Sequence, residues 1–230
     1  MCWFQRNDQL YSRECKSVKE NFPKLKFYTV NGKILVLKGE IDLKYNGQIV
    51  DKYNIAIFFP ADYPNNPPLL KEIDERIPRI QDRHINKHGD CCLFPRLALK
   101  EIWDVNPSIL YYINELVIPF LSHQSYFERY GEWRNKGYAH GAKGIIEFYK
   151  ERYNIDSVDI LIVVLQKLAA NEKIGRNEPC FCQNGKKLKK CHEDVYNRLR
   201  NGVNKEIFEK DITDLKKYIA DQSTTTEKSF

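Results

Sequence analysis

The sequence predicts an α+β protein: an antiparallel sheet meander flanked by helices, followed by a small module carrying cysteine and histidine near the C-terminus. Three observations predict it. Phe27–Val30, Ile34–Leu43 and Ile49–Phe59 alternate apolar with polar residues and are rich in β-branched and aromatic side chains, the pattern of half-buried strands. Asn31-Gly32 and Asn46-Gly47 separate these runs, and Asn-Gly supplies the two positive-φ positions of a tight hairpin turn, so the strands follow one another as a meander. Cys180, Cys182, Cys191 and His192 crowd into one short lysine-rich run, which is ligand spacing rather than core spacing.

Composition bounds the rest. A chain of 230 residues with 42% hydrophobic and 30% charged residues can bury one sizeable core and carry a small appendage, and it is too apolar to be disordered. No apolar run approaches the roughly 20 residues of a membrane span. The start, Met1-Cys2-Trp3-Phe4-Gln5-Arg6-Asn7-Asp8, lacks the apolar centre of a signal peptide, so the expectation is a cytoplasmic protein with no membrane partner. Seven cysteines in that setting point to metal ligation, catalysis or plain burial, not to a disulfide framework. The net charge of +6 permits contact with nucleic acid or an acidic protein, but spread along the whole chain it reads as a solvated basic surface.

In chain order, Tyr11–Lys24 mixes apolar and charged positions at helical spacing and predicts a first helix. After the third strand, Pro60, Pro64, Pro67 and Pro68 cannot donate to a ladder, so Phe59–Pro68 is expected as an ordered, extended turn over the sheet edge. Beyond Trp103, Asn106 is expected to cap a helix whose first residue is Pro107. Ile109, Leu110, Ile113, Leu116, Val117, Phe120 and Leu121 share one of its faces, and Pro119 is expected to bend or end it. The glycines of Tyr138–Ile146 mark a loop carrying His140, which is read as able to fold back towards the cysteine pair. Gly144–Arg152 and Val158–Leu168 read as helices, the second apolar enough to be buried. Phe208, Ile212, Leu215 and Ile219 predict one more, before a polar run from Asp221 to Glu227 expected to be disordered.

Between the proline-rich turn and Trp103 lies His84-Ile85-Asn86-Lys87-His88-Gly89-Asp90-Cys91-Cys92-Leu93. A cysteine accepts an acyl group as a thioester, and attack on that thioester builds negative charge on the carbonyl oxygen, which a neighbouring amide such as that of Asn86 can stabilise. If Cys91 and Cys92 lie in extended chain, their side chains point in opposite directions and only one faces the site.

The spacing Phe-Pro-x-x-Tyr-Pro-x-x-Pro-Pro, the Asn upstream of Cys-Leu, and the tryptophan and helix that follow resemble the ubiquitin-conjugating (UBC) fold over roughly the first 125 residues. The resemblance implies Cys92 as the thioester nucleophile, because Leu93 matches the Cys-Leu of the motif, and it implies Asn86 and His84 as catalytic candidates from the family's His-Pro-Asn. Ile85 replaces that proline. The spacing from Asn86 to Cys92 is shorter by two residues than in eukaryotic members, and the connection from Pro68 to His84 is longer.

Ile174–His192 is similar to the SEC-C motif, the zinc module found at the end of the SecA translocase. That resemblance implies one structural zinc per chain, held by Cys180, Cys182, Cys191 and His192, with Phe181 in place of the usual proline. With four protein ligands no position is open to a substrate.

The expected division is a conjugating-like domain over 1–150, a helical extension over 151–172, the zinc module over 173–193, and a C-terminal helix and tail over 194–230. Eukaryotic conjugating enzymes do not usually end in a zinc module, so the combination resembles a bacterial branch, and UBC-like proteins of bacteria occur in antiviral defence operons of the CBASS type. The resemblance therefore implies a partner with a free C-terminus, a cGAS-like nucleotidyltransferase among the candidates. No glycine-rich phosphate loop is present in the sequence, so activation of the carboxyl has to come from another protein. Two readings compete with the acyltransferase: an inactive adaptor that uses the zinc module to bind protein or nucleic acid, and a thiol hydrolase with His84, His88 or His140 as base.

Overall fold

Strands β1 (Leu25–Val30), β2 (Ile34–Tyr45), β3 (Gln48–Phe58) and β4 (Leu69–Glu72) form one antiparallel sheet in the order β1-β2-β3-β4 in the computed structural model, which describes residues 2–134 and 137–226. The register lines up Phe27, Leu37, Ile57 and Leu70 across all four strands. Leu37, Ile57 and Leu70 are buried on one face and Phe27 packs against the same core, as the two-residue period of a strand requires. Asn46 and Gly47 have φ of 49° and 79° and join Tyr45 to Gln48 as a two-residue turn. Asn31 and Gly32, at 51° and 65°, turn the other hairpin. There Lys33 adds a third loop residue, its N–H returning to the Val30 carbonyl at 3.0 Å.

The chain divides into two compact units. The first takes in the chain up to Phe94 together with Ala98–Gly137, and the second takes in Pro95–Leu97 and the chain from Tyr138 onward. In the first unit, α1 (Trp3–Arg6) and α2 (Asp8–Asn21) precede the sheet. Helix α2 starts three residues earlier than the periodicity suggests because Asn7 caps it, accepting the Leu10 N–H at 3.0 Å.

The proline-rich segment is not extended. It makes successive tight turns, with Tyr63 N–H on the Pro60 carbonyl and Asn65 N–H on that of Asp62. Aromatic packing draws it into the core: the Tyr63 ring lies 4.5 Å from Trp3, 4.9 Å from Phe59 and 5.7 Å from Trp103, and the Trp103 indole donates to the Pro64 carbonyl at 2.7 Å.

Helix α3 (Arg96–Trp103) leads to α4 (Ile109–Tyr112), which passes through a π-helical turn, Ile113–Val117, into α5 (Ile118–Tyr130). Two expectations change here. The cap is Ser108, whose hydroxyl accepts the Tyr111 N–H at 3.3 Å, and not Asn106; the buried Glu14 carboxylate takes the Ile109 N–H at 3.2 Å. Pro119 neither ends nor starts the helix. The wider turn before it, in which the Ile118 N–H reaches the Ile113 carbonyl, accommodates the N–H that proline lacks.

The second unit contains α6 (Ala142–Tyr153), α7 (Val158–Ala169), α8 (Glu193–Gly202) and α9 (Lys205–Thr226). Helices α6 and α7 both pack on α9, which places the division at Gly137/Tyr138, earlier than residue 150. Leu161, Val164, Leu165 and Leu168 of α7 are buried, as are Phe208 and Leu215 of α9. The polar stretch from Asp221 continues α9 as helix to Thr226 where disorder was expected; Glu227 lies outside the described residues. Among the described residues no helix is long and apolar enough to cross a membrane.

Candidate thiol site and metal centre

A 3₁₀ turn, Gln81–Arg83, ends at His84, whose φ of 54° places it in the left-handed region. From there the chain folds back on itself. The Asn86 N–H reaches the Asp90 carbonyl at 2.9 Å, the Gly89 N–H reaches the Asn86 carbonyl at 2.8 Å, and the Asn86 side-chain amide donates to the Asp90 carboxylate at 2.5 Å. Lys71 on β4 holds the tip by donating to the His88 carbonyl at 2.8 Å. The returning limb bridges Lys71 with Asp90 and Ile85 with Cys91, so Asp90 and Cys91 lie as extended chain beside β4.

This register separates the two thiols. Cys91 donates its N–H to the Leu70 carbonyl at 2.8 Å and packs against the hydrophobic core, and burial pushes its thiol up to about 12. It therefore stays protonated and unreactive near neutral pH. Cys92 is half-buried like its neighbour but is not among the residues packed on that core. Cys92 donates its N–H to the His84 carbonyl at 2.8 Å, and its Sγ is 3.9 Å from the Phe94 carbonyl.

Of the residues singled out from the sequence, His84, Asn86 and Cys92 share this one loop. His88 is exposed at its tip, while His140 belongs to the other unit. Asn86 acts on Asp90, bracing the loop. Sequence reasoning missed the braces Asp90 and Lys71. It also missed Arg83, which is buried and donates to Gln124 at 2.8 Å and to Glu128 at 3.3 Å. A buried arginine next to the motif was a visible signal only once α5 was placed opposite it.

In the second unit a short hairpin, with the Cys180 N–H on the Lys186 carbonyl at 2.8 Å and the Leu188 N–H on that of Glu178 at 2.9 Å, presents Cys180 and Cys182. Gln183 and Gly185, with φ of 57° and 77°, turn the knuckle. A 3₁₀ turn, Leu188–Lys190, anchored by buried Leu188, then delivers Cys191 and His192. The four donor atoms lie within 4.8 Å of one another. Cys182 and Cys191 Sγ are 3.6 Å apart, and His192 Nδ1 is 3.2 Å from Cys180 Sγ and 3.1 Å from Cys191 Sγ.

A zinc ion about 2.3 Å from each sulfur and about 2.0 Å from nitrogen sets tetrahedral edges of roughly 3.4–3.8 Å. The Cys182–Cys191, Cys180–His192 and Cys191–His192 separations sit at that scale or a few tenths of an ångström below it. The donor set fits zinc, since thiolate and imidazole suit it and no oxygen ligand is involved. Burial raises the Cys180 thiol to about 12; at Cys182 burial works in the same sense, but the Asn184 N–H and the neighbouring thiols outweigh it and hold that thiol below its ordinary value. The Asn184 side chain also donates to Cys191 Sγ at 3.1 Å, and the Phe181 ring lies 5.1 Å from that of His192. The residue that replaces the usual proline therefore supports a ligand ring.

Residues 176–194 match the SEC-C motif family. The class thus defined is a chain that carries a SEC-C motif with a Cys/His cluster able to hold a metal ion. A 29-residue stretch is 62% identical to the Protein translocase subunit SecA of Koribacter versatilis (strain Ellin345). That stretch is 13% of this chain and 3% of the SecA subunit, so the likeness concerns the module alone.

Proposed function

We propose that the first unit is a ubiquitin-conjugating-like cysteine acyltransferase with Cys92 as its nucleophile, and that the second unit holds one structural zinc. The observation that supports the first part most directly is the difference between the thiols: the loop beside β4 packs Cys91 against the core, while the half-buried Cys92 is not part of that packing. The meander of four strands, the aromatic turn around Tyr63 and the Trp103-bearing helix after the cysteine agree with the resemblance.

In the reaction, the Cys92 thiolate attacks the carbonyl carbon of an acyl group already activated as a thioester by another protein. A new S–C bond forms and the donor thiolate leaves. An acceptor amine then attacks the Cys92 thioester, forming C–N and breaking C–S; the amine gives up a proton to solvent or a base, and the Cys92 thiolate is restored. Asn86 keeps the loop in shape through Asp90, and His84 holds Cys92 by its carbonyl. A partner with a free C-terminus, such as a cGAS-like nucleotidyltransferase of a CBASS-type bacterial operon, is the proposed source of the acyl group, and the bacterial cytoplasm the proposed site of action.

In the second unit Cys180, Cys182, Cys191 and His192 hold the zinc; bound there, it supplies a cross-link and no open coordination position. The engagement of the Asn86 amide with Asp90 favours a second reading, an inactive adaptor that binds protein or nucleic acid through the zinc module. One experiment separates the two. The protein is incubated with a purified cGAS-like nucleotidyltransferase and its activating enzyme, and intact mass is measured. The acyltransferase gives a thiol-labile adduct that is lost in Cys92→Ala and kept in Cys91→Ala; no adduct under any of these conditions leaves the adaptor.

A further inference from the structure

Arg83 and Gln124 form a reciprocal pair. The Arg83 Nε donates to Gln124 Oε1 at 2.8 Å, and Gln124 Nε2 donates back to the Arg83 main-chain carbonyl at 3.0 Å, with both residues buried. Around them, the Arg83 guanidinium lies over the rings of Phe127, 4.6 Å away, and Trp133, 5.9 Å away, and Trp133 also meets the His84 ring edge-on at 6.3 Å. One residue on, His84 sits at a φ of 54°, and its carbonyl takes the Cys92 N–H at 2.8 Å.

Two features of this arrangement exceed what packing alone needs. A side chain other than glycine adopts a left-handed conformation at a cost, and keeps it when its neighbours fix it. A buried glutamine that both accepts from and donates to the same residue fixes that residue's side chain and its peptide plane together.

We propose that Arg83 and Gln124 are positioning residues for Cys92. They hold the peptide before His84 so that the His84 carbonyl pins the Cys92 backbone and sets the direction in which the thiol leaves the loop. This rests on the acyltransferase reading of Cys92. It differs from the role of Asn86, which closes the loop from its other side.

The test is alkylation of the full chain by iodoacetamide from pH 6 to 10, with each cysteine followed by peptide mass and the folded state followed by thermal melting. Gln124→Glu keeps an acceptor for Arg83 but cannot donate to the Arg83 carbonyl. It is expected to melt cooperatively, to slow Cys92 alkylation by roughly threefold or more and to shift the midpoint of its pH profile, with Cys15 unchanged. A Cys92 profile superimposable on that of the parent overturns the proposal. Should Gln124→Glu lose its cooperative melt, Trp133→Leu, at the half-exposed end of the stack, carries the same expectation and the same refutation. If Cys92 of the parent reacts no faster than Cys15, the nucleophile reading falls and the positioning falls with it. A fast parent with an unchanged variant sinks the positioning alone.

Discussion

Asp211 of α9 is fully buried beside the Arg96 guanidinium at 2.8 Å, with the Tyr149 hydroxyl at 3.4 Å, and Arg96 also holds Asp214 at 2.7 Å. Burial pushes the Asp211 carboxyl from 3.8 up to about 6, with Arg96 working against it. Between those two values the folded chain keeps a proton that the unfolded chain has lost. Stability from this group is therefore greatest below pH 3.8 and falls as the pH rises, the fall being complete above about 6. At 1.36 kcal/mol per pH unit the interval amounts to about 3 kcal/mol.

Asp211→Asn keeps the shape and removes the titration, and Arg96 retains Asp214 as partner at a half-exposed position. Relative to the parent, the variant is expected to gain about 3 kcal/mol of stability between pH 4 and pH 7. The assay is hydrogen exchange of α9 amides at a series of pH values. Tryptophan fluorescence does not serve, because Trp3, Trp103 and Trp133 all belong to the first unit. Parallel profiles for parent and variant would refute the reasoning.

Two further outcomes are expected. Cys182→Ser should reduce bound zinc from about one per chain to less than about half and loosen amide protection in α8, which follows directly from His192; elemental analysis of protein purified without chelator that finds no zinc in the parent would remove the metal reading. In the first unit, the Arg76 guanidinium holds the Asp51 carboxyl at about 2, against the pull of burial, with Ser125 adding a hydrogen bond. A depressed carboxyl contributes stability above 3.8 that is lost as the pH falls towards 2. Discounted for solvent screening, Asp51→Asn should cost about 1 kcal/mol at pH 7 and nothing near pH 2, read by urea unfolding on tryptophan fluorescence.

The meander was legible because its two signals are local. Alternation marks a strand with one face in the core, and Asn-Gly can be read without knowing what it joins. Strand β4 was not legible: Leu69-Leu70-Lys71-Glu72 is too short to show a period and is a strand only because β3 offers Ile55–Phe58 as a partner. The Ser108 cap and the π-turn before Pro119 escaped for a related reason, since Glu14, distant in sequence, decides where that helix begins. The clustering of Cys180, Cys182, Cys191 and His192 was fully legible, as ligand chemistry and tight spacing occur together in one short run. At the thiol site the cysteine pair and Asn86 stood out by residue type. What fixes Cys91 against the core is a pairing with Ile85 and β4, and tertiary pairing of that kind leaves no mark in a single sequence.

Because Cys91 is held in place by its pairing with Ile85, the residues on either side of it act as its proofreading. A slip of one residue towards the N-terminus would carry the Asp90 carboxylate into the core position that Cys91 fills, an uncompensated burial of charge. A slip the other way would press Cys92 into the core and offer Leu93 to solvent. Each wrong alignment thus carries its own penalty, and the chain can keep two adjacent cysteines with Cys91 fixed as the one packed against the core.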